Sequence, residues 1–273
     1  MLRSLWTAAS GMRAEQTSVD TIANNIANVN TTAYKSQNTE FKTLLYQTLQ
    51  AETTTANGET KPTSAQVGLG TRVASVNASF EQGALLASSN TMGCAIEGSG
   101  FFSVQGVDGQ TYYTRDGDFG WSIDADGTRV LANASGLKVL DSEGNRITLP
   151  DGVGADSVSI GTNGAVAYRQ ADGTSVDTGQ RIGLFQFENP VGLEKQSGNL
   201  YAVTEASGDP INEATTNLAI TPSTIAQGYL EGSNVNIADE MVNLIISQRA
   251  YELNSKAITT SDTMLETANN LKR

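Results

Sequence analysis

The chain is 273 residues long and carries 17 Lys and Arg against 29 Asp and Glu, a formal charge of −12, with no His and one Cys. That acid surplus excludes a surface that coats nucleic-acid phosphates, which demand clustered cations. The lack of His removes the commonest general base, the commonest metal ligand and the Ser-His-Asp triad, and the lone Cys94 can supply neither an internal disulfide nor a zinc thiolate cluster.

The opening Met1-Leu-Arg-Ser-Leu-Trp6 has one cation and neither the apolar core nor the small-residue cleavage site of a signal peptide. The chain is therefore expected to stay in the cytoplasm or to leave by a route that cleaves no signal. Leu5, Met12, Val19 and Ile26 recur every seven residues, with Ala8, Ile22 and Val29 on the adjoining row and only Gly11 interrupting. This predicts an amphipathic helix with a narrow apolar stripe. It should stop within the Asn-rich stretch 24–30, because Asn competes for backbone hydrogen bonds and tolerates left-handed geometry. Residues 51–66 are polar and almost free of large apolar groups, and taken alone read as a loop or linker.

From about 70 to 230 turn signals recur: Val107-Asp-Gly, Arg115-Asp-Gly, Asp124-Ala-Asp-Gly127, Ser142-Glu-Gly-Asn145, Gly161-Thr-Asn-Gly164 and Ala171-Asp-Gly173. Between them lie short runs such as Phe101–Val104, Arg129–Leu131, Leu137–Leu140, Ser157–Ile160 and Ile182–Phe187. Gly in such turns supplies the positive φ of two-residue hairpins, so the middle is expected to be antiparallel β, a small barrel or sandwich. At the C-terminal end Ile237, Leu244, Tyr251, Ile258 and Leu265 form a second seven-residue row, widened by Met241, Ile245, Ala250, Ala257, Met264 and Leu271. Asn236 is placed as N-cap, with Asp239 in capping-box position. No Gly or Pro follows Gly232, so a helix over 237–271 would be about 50 Å long. The longest apolar runs, such as 243–247, are far below the roughly 20 residues that a bilayer requires.

Both stripes are interrupted, by Glu15 in one and by Gln248, Ser255 and Asp262 in the other. They can pack as a helical hairpin on their own domain, or bury their apolar rows against copies of the chain in the manner of a heptad seam. The fold class is α+β: long terminal helices around a β-rich antiparallel middle.

Candidate chemistry is sparse. Asp124-Ala-Asp126-Gly lacks the later ligands of a calcium loop and reads as a turn. Gly98-Ser99-Gly100 lacks the context of a nucleophile elbow and any His base. Gly68-Leu-Gly70 lacks the third glycine of a dinucleotide fingerprint. Asp116 and Asp118 read as solvated turn acids, and Cys94 as a small buried hydrophobe.

Longer strings carry a resemblance. Ala23-Asn-Asn-Ile-Ala-Asn-Val-Asn-Thr-Thr-Ala-Tyr-Lys35, with Asn24, Asn25, Asn28, Tyr34 and Lys35, resembles the N-terminal signature of bacterial flagellar rod and hook proteins, which usually have Gly in place of Ala33. Gly83-Ala-Leu, Ala95-Ile-Glu-Gly-Ser-Gly-Phe-Phe102 and Tyr113-Thr-Arg-Asp-Gly-Asp-Phe119 resemble the family's central block. The runs 227–236 and 248–257 are most similar to members from the distal part of the rod, as is Leu44-Leu-Tyr-Gln-Thr48 followed by a polar insertion. The similarity is thinnest over 140–225.

The resemblance implies that residues 1–32 and 233–273 pair as a coiled-coil inner domain. Residues 93–211 would form a β-rich outer domain, joined through 33–92 and 212–232. The insertion 49–66, read above as a linker, would pack between subunits and stiffen the rod. Leu5, Met12, Val19, Ile22 and Ile26 of the first helix, and Ile237, Met241, Leu244, Tyr251, Ile258 and Leu265 of the second, would then serve assembly. The implied function is structural: an axial subunit of the basal-body rod that transmits torque from motor to hook. Implied partners are further copies in a helical homopolymer, proximal rod proteins, the hook protein, the P- and L-ring bushing proteins, the rod cap and the flagellar type III export apparatus. No cofactor, metal or nucleic acid is implied. Two alternatives stand beside this reading: a proximal rod or short hook protein of the same family, and a secreted β-rich carbohydrate-active protein or adhesin.

Overall fold

The computed structural model describes residues 2–50, 64–124, 126–150, 153–154, 157–170, 174–215 and 221–271. It contains an N-terminal helix, a β-rich antiparallel middle and a C-terminal helix, and divides into two compact units. No described helix is long and apolar enough to cross a membrane.

The first unit joins Met1–Ala27, Gln37–Ala78 and Asn236–Arg273. Helix α1 spans Leu2–Ala27 and ends inside the Asn-rich stretch, as its sequence predicts. Helix α2 spans Ile237–Asn270 and opens on Asn236, whose side chain accepts the Ala238 N–H at 3.1 Å. Asp239 accepts from the Asn236 side-chain amide at 2.7 Å, so the acid three residues on steadies the cap through its side chain. The helices run antiparallel in contact: Ser4 Oγ lies 3.2 Å from Ser261 Oγ, and Asn25 Nδ2 donates to Glu240 at 3.0 Å near the other end.

α1 also packs on a two-stranded antiparallel ribbon, Gln37–Thr43 with Thr71–Ala78, which is bulged between Glu40 and Phe41. The Asn25 amide clamps the ribbon's start, accepting from Gln37 N at 2.9 Å and donating to Gln37 O at 2.8 Å. Thr39 and Thr21 hydroxyls meet at 3.1 Å, and Thr71 N donates to Ser10 Oγ at 3.3 Å. Small buried residues, Ala8, Ala14 and Thr21, bring α1 close to its neighbours.

A second hairpin pairs Tyr46–Gln50 with Ala65–Gly68. Ala65 and Gln66, which composition alone placed in a linker from 51 to 66, are therefore paired strand, opposite Gln50 and Thr48, with the register shifting between those two. Alternating Val67 with polar neighbours suffices for a ladder, whose bonds are made by backbone. The rest of the insertion, 51–63, lies outside the described residues.

The second unit joins Asn28–Ser36 and Ser79–Val235. Its main sheet runs Thr148–Leu149, Arg129–Asn133, Lys138–Val139, Phe101–Gln105, Thr111–Thr114, Leu200–Ala202 and Glu194–Lys195 in antiparallel order, with Phe119–Ile123, Leu184–Gln186 and Ile211–Asn212 pairing off this path. A three-stranded sheet of Val158–Ile160, Ala165–Arg169 and Ser175–Arg181 accompanies it. Strand alternation divides the core at Phe101-Phe102. Phe102 enters an aliphatic cluster with Cys94, Ile96, Val104, Leu131, Val139, Ile147 and Ile182. Phe101 enters an aromatic one with Tyr113, Phe187 and Tyr201, its rings edge-to-face at centroid distances of 5.6 Å to Phe187 and 6.0 Å to Tyr201.

Four predicted turns carry a glycine at positive φ: Gly109, Gly127, Gly144 and Gly164. The turn Ala171-Asp-Gly173 lies outside the described residues. Arg115-Asp-Gly117 is not a hairpin: Phe119–Ile123 pairs with Arg129–Asn133 instead of with Thr111–Thr114. Gly117 is needed there for close approach, because a Cβ would overlap the Cys94 carbonyl while Cys94 N donates to Gly117 O at 2.9 Å.

Candidate assembly surfaces

The centre of the helix seam is polar. On α1, Ser4, Gly11, Ser18 and Asn25 recur every seven residues. Opposite them on α2 stand Ser261, Asn254, Ser247 and Glu240: Ser18 and Ser247 hydroxyls meet at 3.1 Å, and a Cβ on Gly11 would lie 2.8 Å from Asn254 Nδ2. Of the α1 residues assigned to assembly, Ile22 is buried, while Leu5, Met12, Val19 and Ile26 are half-buried beside this row. On α2, Leu244, Ile258 and Leu265 are half-buried and alternate along the seam with the polar residues. Tyr251 shares their spacing but is 43% exposed, and Ile237 and Met241 are exposed too. Gln16, Val19, Gln248, Tyr251 and Glu252 line an open groove of about 410 Å³ along the pair.

Sequence periodicity picked out Ile245 as a neighbour of the α2 row but missed Val242, Ile246 and Leu253. In the structure Ile245 is 56% and Ile246 60% exposed, and Val242, Leu253, Met264 and Leu271 are exposed with them. A monomeric helix does not usually leave this much aliphatic surface in water. The available signal was that α2 carries more aliphatics than one face can bury.

The Asn-rich motif is structural at each position. Asn24 is exposed, with its amide 3.5 Å from Gln37 Oε1, and Asn28 Oδ1 accepts from Thr31 Oγ1 at 3.1 Å. Ala33 is fully buried at φ +54° and donates its N–H to Glu231 O, so the turn persists with Ala where the family usually has Gly. Tyr34 is buried, with the Lys195 ammonium 4.3 Å from its ring centroid.

Lys35 and Arg115 converge on Glu231, and all three side chains are almost completely removed from water. Lys35 Nζ is 2.7 Å from Glu231 Oε1 and donates to Glu81 O at 2.6 Å. Arg115 Nη1 is 3.3 Å from Glu231 Oε2, and Nη2 donates to Gly98 O at 2.6 Å. Gly83 N donates to Glu231 Oε1 at 2.9 Å, and the guanidinium lies 5.3 Å from the Phe101 ring centroid. Burial pulls the Lys35 ammonium below its usual range, with Glu231 opposing that pull. Sequence reasoning missed Glu231 and Arg115 as a unit: charged residues are ordinarily solvated, and the three are far apart in the chain.

The remaining candidates stabilise turns and packing. Asp116 Oδ1 accepts from Asp118 N at 3.1 Å, and Asp118 Oδ1 from Asn90 Nδ2 at 2.8 Å. Asp124 Oδ2 is 2.6 Å from Lys138 Nζ and 2.8 Å from Arg146 Nη1. Gly100 N donates to Ser223 Oγ at 3.0 Å beside Ser99. Cys94 is fully buried, its thiol pushed up to about 12 by desolvation. Among the described residues no group of three or more His, Cys, Asp or Glu is placed to hold a metal ion.

Three family models match: flagella basal body rod protein over residues 5–35, flagellar hook protein FlgE/F/G D1 domain over 95–168, and flagellar basal body rod FlgEFG protein C-terminal over 226–271. The flagellar basal-body rod protein FlgG of Borreliella burgdorferi is 44% identical over 275 residues, covering 100% of each chain. That of Bacillus subtilis is 37% identical, covering 100% of each, and that of Agrobacterium fabrum 39% identical, covering 96% of this chain and 97% of its own. The matched segments contain α2, α1 from residue 5 onward and the Lys35–Arg115–Glu231 cluster, and with relatives 37–44% identical over 97–100% of their length the chain belongs to the family of flagellar basal-body rod proteins.

Proposed function

We propose that this chain is a structural axial subunit of the bacterial flagellar basal body, polymerising into the distal rod that carries torque from motor to hook. Full-length similarity to rod proteins supports the reading, and the exposed aliphatics of α2 give it a physical basis: Ile237, Met241, Val242, Ile245, Ile246 and Leu253 bury their surface against helices of other copies. Residues 1–32 and 233–273 then form a coiled-coil inner layer and 93–211 an outer wall, with 33–92 and 212–232 between them. The insertion 49–66 wedges between neighbouring subunits and stiffens the shaft. The work is mechanical and needs no catalytic group, metal or cofactor.

The chain is exported unfolded through the flagellar type III apparatus and acts where the rod crosses the periplasm. It meets proximal rod proteins below, the hook protein above, the P- and L-rings around it and the rod cap during growth. Leu244→Asp and Ile258→Asp place a charge in the half-buried seam and are expected to abolish rod assembly while the β unit stays folded. Electron microscopy of purified basal bodies, with near-UV circular dichroism of the isolated subunit, checks this. Rods of normal length built from either variant would refute the reading.

A further inference from the structure

We propose that the polar row in the α1–α2 seam selects the partner and the register of the helix pair, holding α1 on the α2 of its own chain and leaving the aliphatic faces to other copies. The row has four layers: Ser4–Ser261, Gly11 against Asn254, Ser18–Ser247 and Asn25–Glu240. Both members of each layer step by seven residues, in opposite directions along the chain. In a heptad seam these core positions contribute most when aliphatic, and a polar residue there gives up stability for register. Ser247 and Glu240 are buried and find hydrogen-bond partners inside the seam, in Ser18 and Asn25, and the buried Asn25 shares its amide between Glu240 and Gln37 of the ribbon.

The layers are not interchangeable. Gly11 is the position that leaves room for the Asn254 amide. A slip of one heptad sets Asn254 against the side chain of Ser4 or Ser18. The same slip separates Asn25 from Glu240, leaving a buried amide and a buried carboxylate without each other. Asn25 also holds both backbone groups of Gln37, so its position is fixed from a second side. An aliphatic row would bind its own α2, a slipped α2 or a neighbour's α2 with similar energy. The inference rests on the rod reading only in that another copy is the competing partner.

The test uses full-length protein in a Cys94→Ala background with two cysteine reporters. Ser4→Cys with Ser261→Cys reports the native register, and Ser4→Cys with Ala268→Cys reports a slip of one heptad. Disulfide formation within and between chains is quantified with the three inner layers native, the outermost Ser4–Ser261 layer serving as the reporter site, then for Ser18→Leu with Ser247→Leu, and for Gly11→Ser with Asn254→Ser. The native row is expected to give the in-register, intrachain product. Both altered rows are expected to lower its ratio to slipped and interchain products about tenfold, the leucine pair by removing a hydrogen-bonded layer and the serine pair by making its layer the same as its neighbours, so that a slipped register costs less. Far-UV circular dichroism establishes that the helices persist. Should the leucine pair unfold them, the serine pair, which keeps the layer polar, decides. An unchanged ratio in the serine pair, or no in-register product from the native row, overturns the proposal. In-register cross-linking with no polymer seen by electron microscopy would instead overturn the rod reading and leave this one standing.

Discussion

Glu231 ties three distant segments of the β unit together, at Lys35, Gly83 and Arg115. It faces two cations, accepts a backbone N–H from Gly83, and has no access to water. Glu231→Ala would leave Lys35 and Arg115 buried without their anion, a loss of about 3–5 kcal/mol. Denaturant unfolding of the full chain, followed by tryptophan fluorescence, should show it as a lowered midpoint. A loss under about 1 kcal/mol would mean that water reaches the cluster. Asp116 is a second lever, because burial holds its carboxyl above its ordinary 3.8 while the bond from Asp118 N pulls the other way. An acid raised in the folded state contributes stability that is complete below 3.8 and is lost as pH rises through the higher folded value. Asp116→Asn keeps an acceptor for Asp118 N and should gain on the native protein between pH 3.8 and neutrality, measured as the difference in unfolding midpoint across pH. A difference that does not vary with pH would show that the carboxyl titrates normally.

Helix α2 is amphipathic in an unusual sense: its covered side alternates polar and aliphatic residues, while its open side also carries aliphatics, Ile237, Val242, Ile245, Ile246 and Leu253, gathered in its N-terminal half. Ile246→Asp tests the open side by itself. Ile246 is 60% exposed, so the subunit should unfold at the same temperature as the native chain while polymer formation falls sharply. Thermal circular dichroism and sedimentation of polymer check the two halves, and sedimentation equal to that of the native chain would place the copy contact elsewhere. The seven-residue periodicity was legible because burial requires it. Which of several seven-residue rows faces the partner helix was not, since Ser4, Gly11, Ser18 and Asn25 do not look like a core. Hairpin turns were legible where Gly enters positive φ, as at Gly127 and Gly164, and misleading at Gly117, where glycine serves the Cys94 carbonyl.

For the molecule as a whole, the paired strands Tyr46–Gln50 and Ala65–Gly68 set the ends of the insertion side by side, so its length can change without disturbing the ladder that carries it. Deleting residues 51–62 should therefore leave the folded subunit intact and act on the polymer, altering rod straightness or stiffness. Bending analysis of isolated rods reads that effect, and rods indistinguishable from native would remove the insertion from the stiffening mechanism.

The α+β class, the two terminal helices, most hairpins and the family were readable from residues alone, because periodicity, turn glycines and long motif strings are local properties of the chain. That Lys35, Arg115 and Glu231 form one buried cluster, that Asn25 joins α1 to both the ribbon and α2, and that the helix seam is polar at its centre is visible in the folded chain alone. Those facts depend on residues up to 196 and 215 positions apart meeting in space, where desolvation, and not local preference, fixes which polar groups must pair.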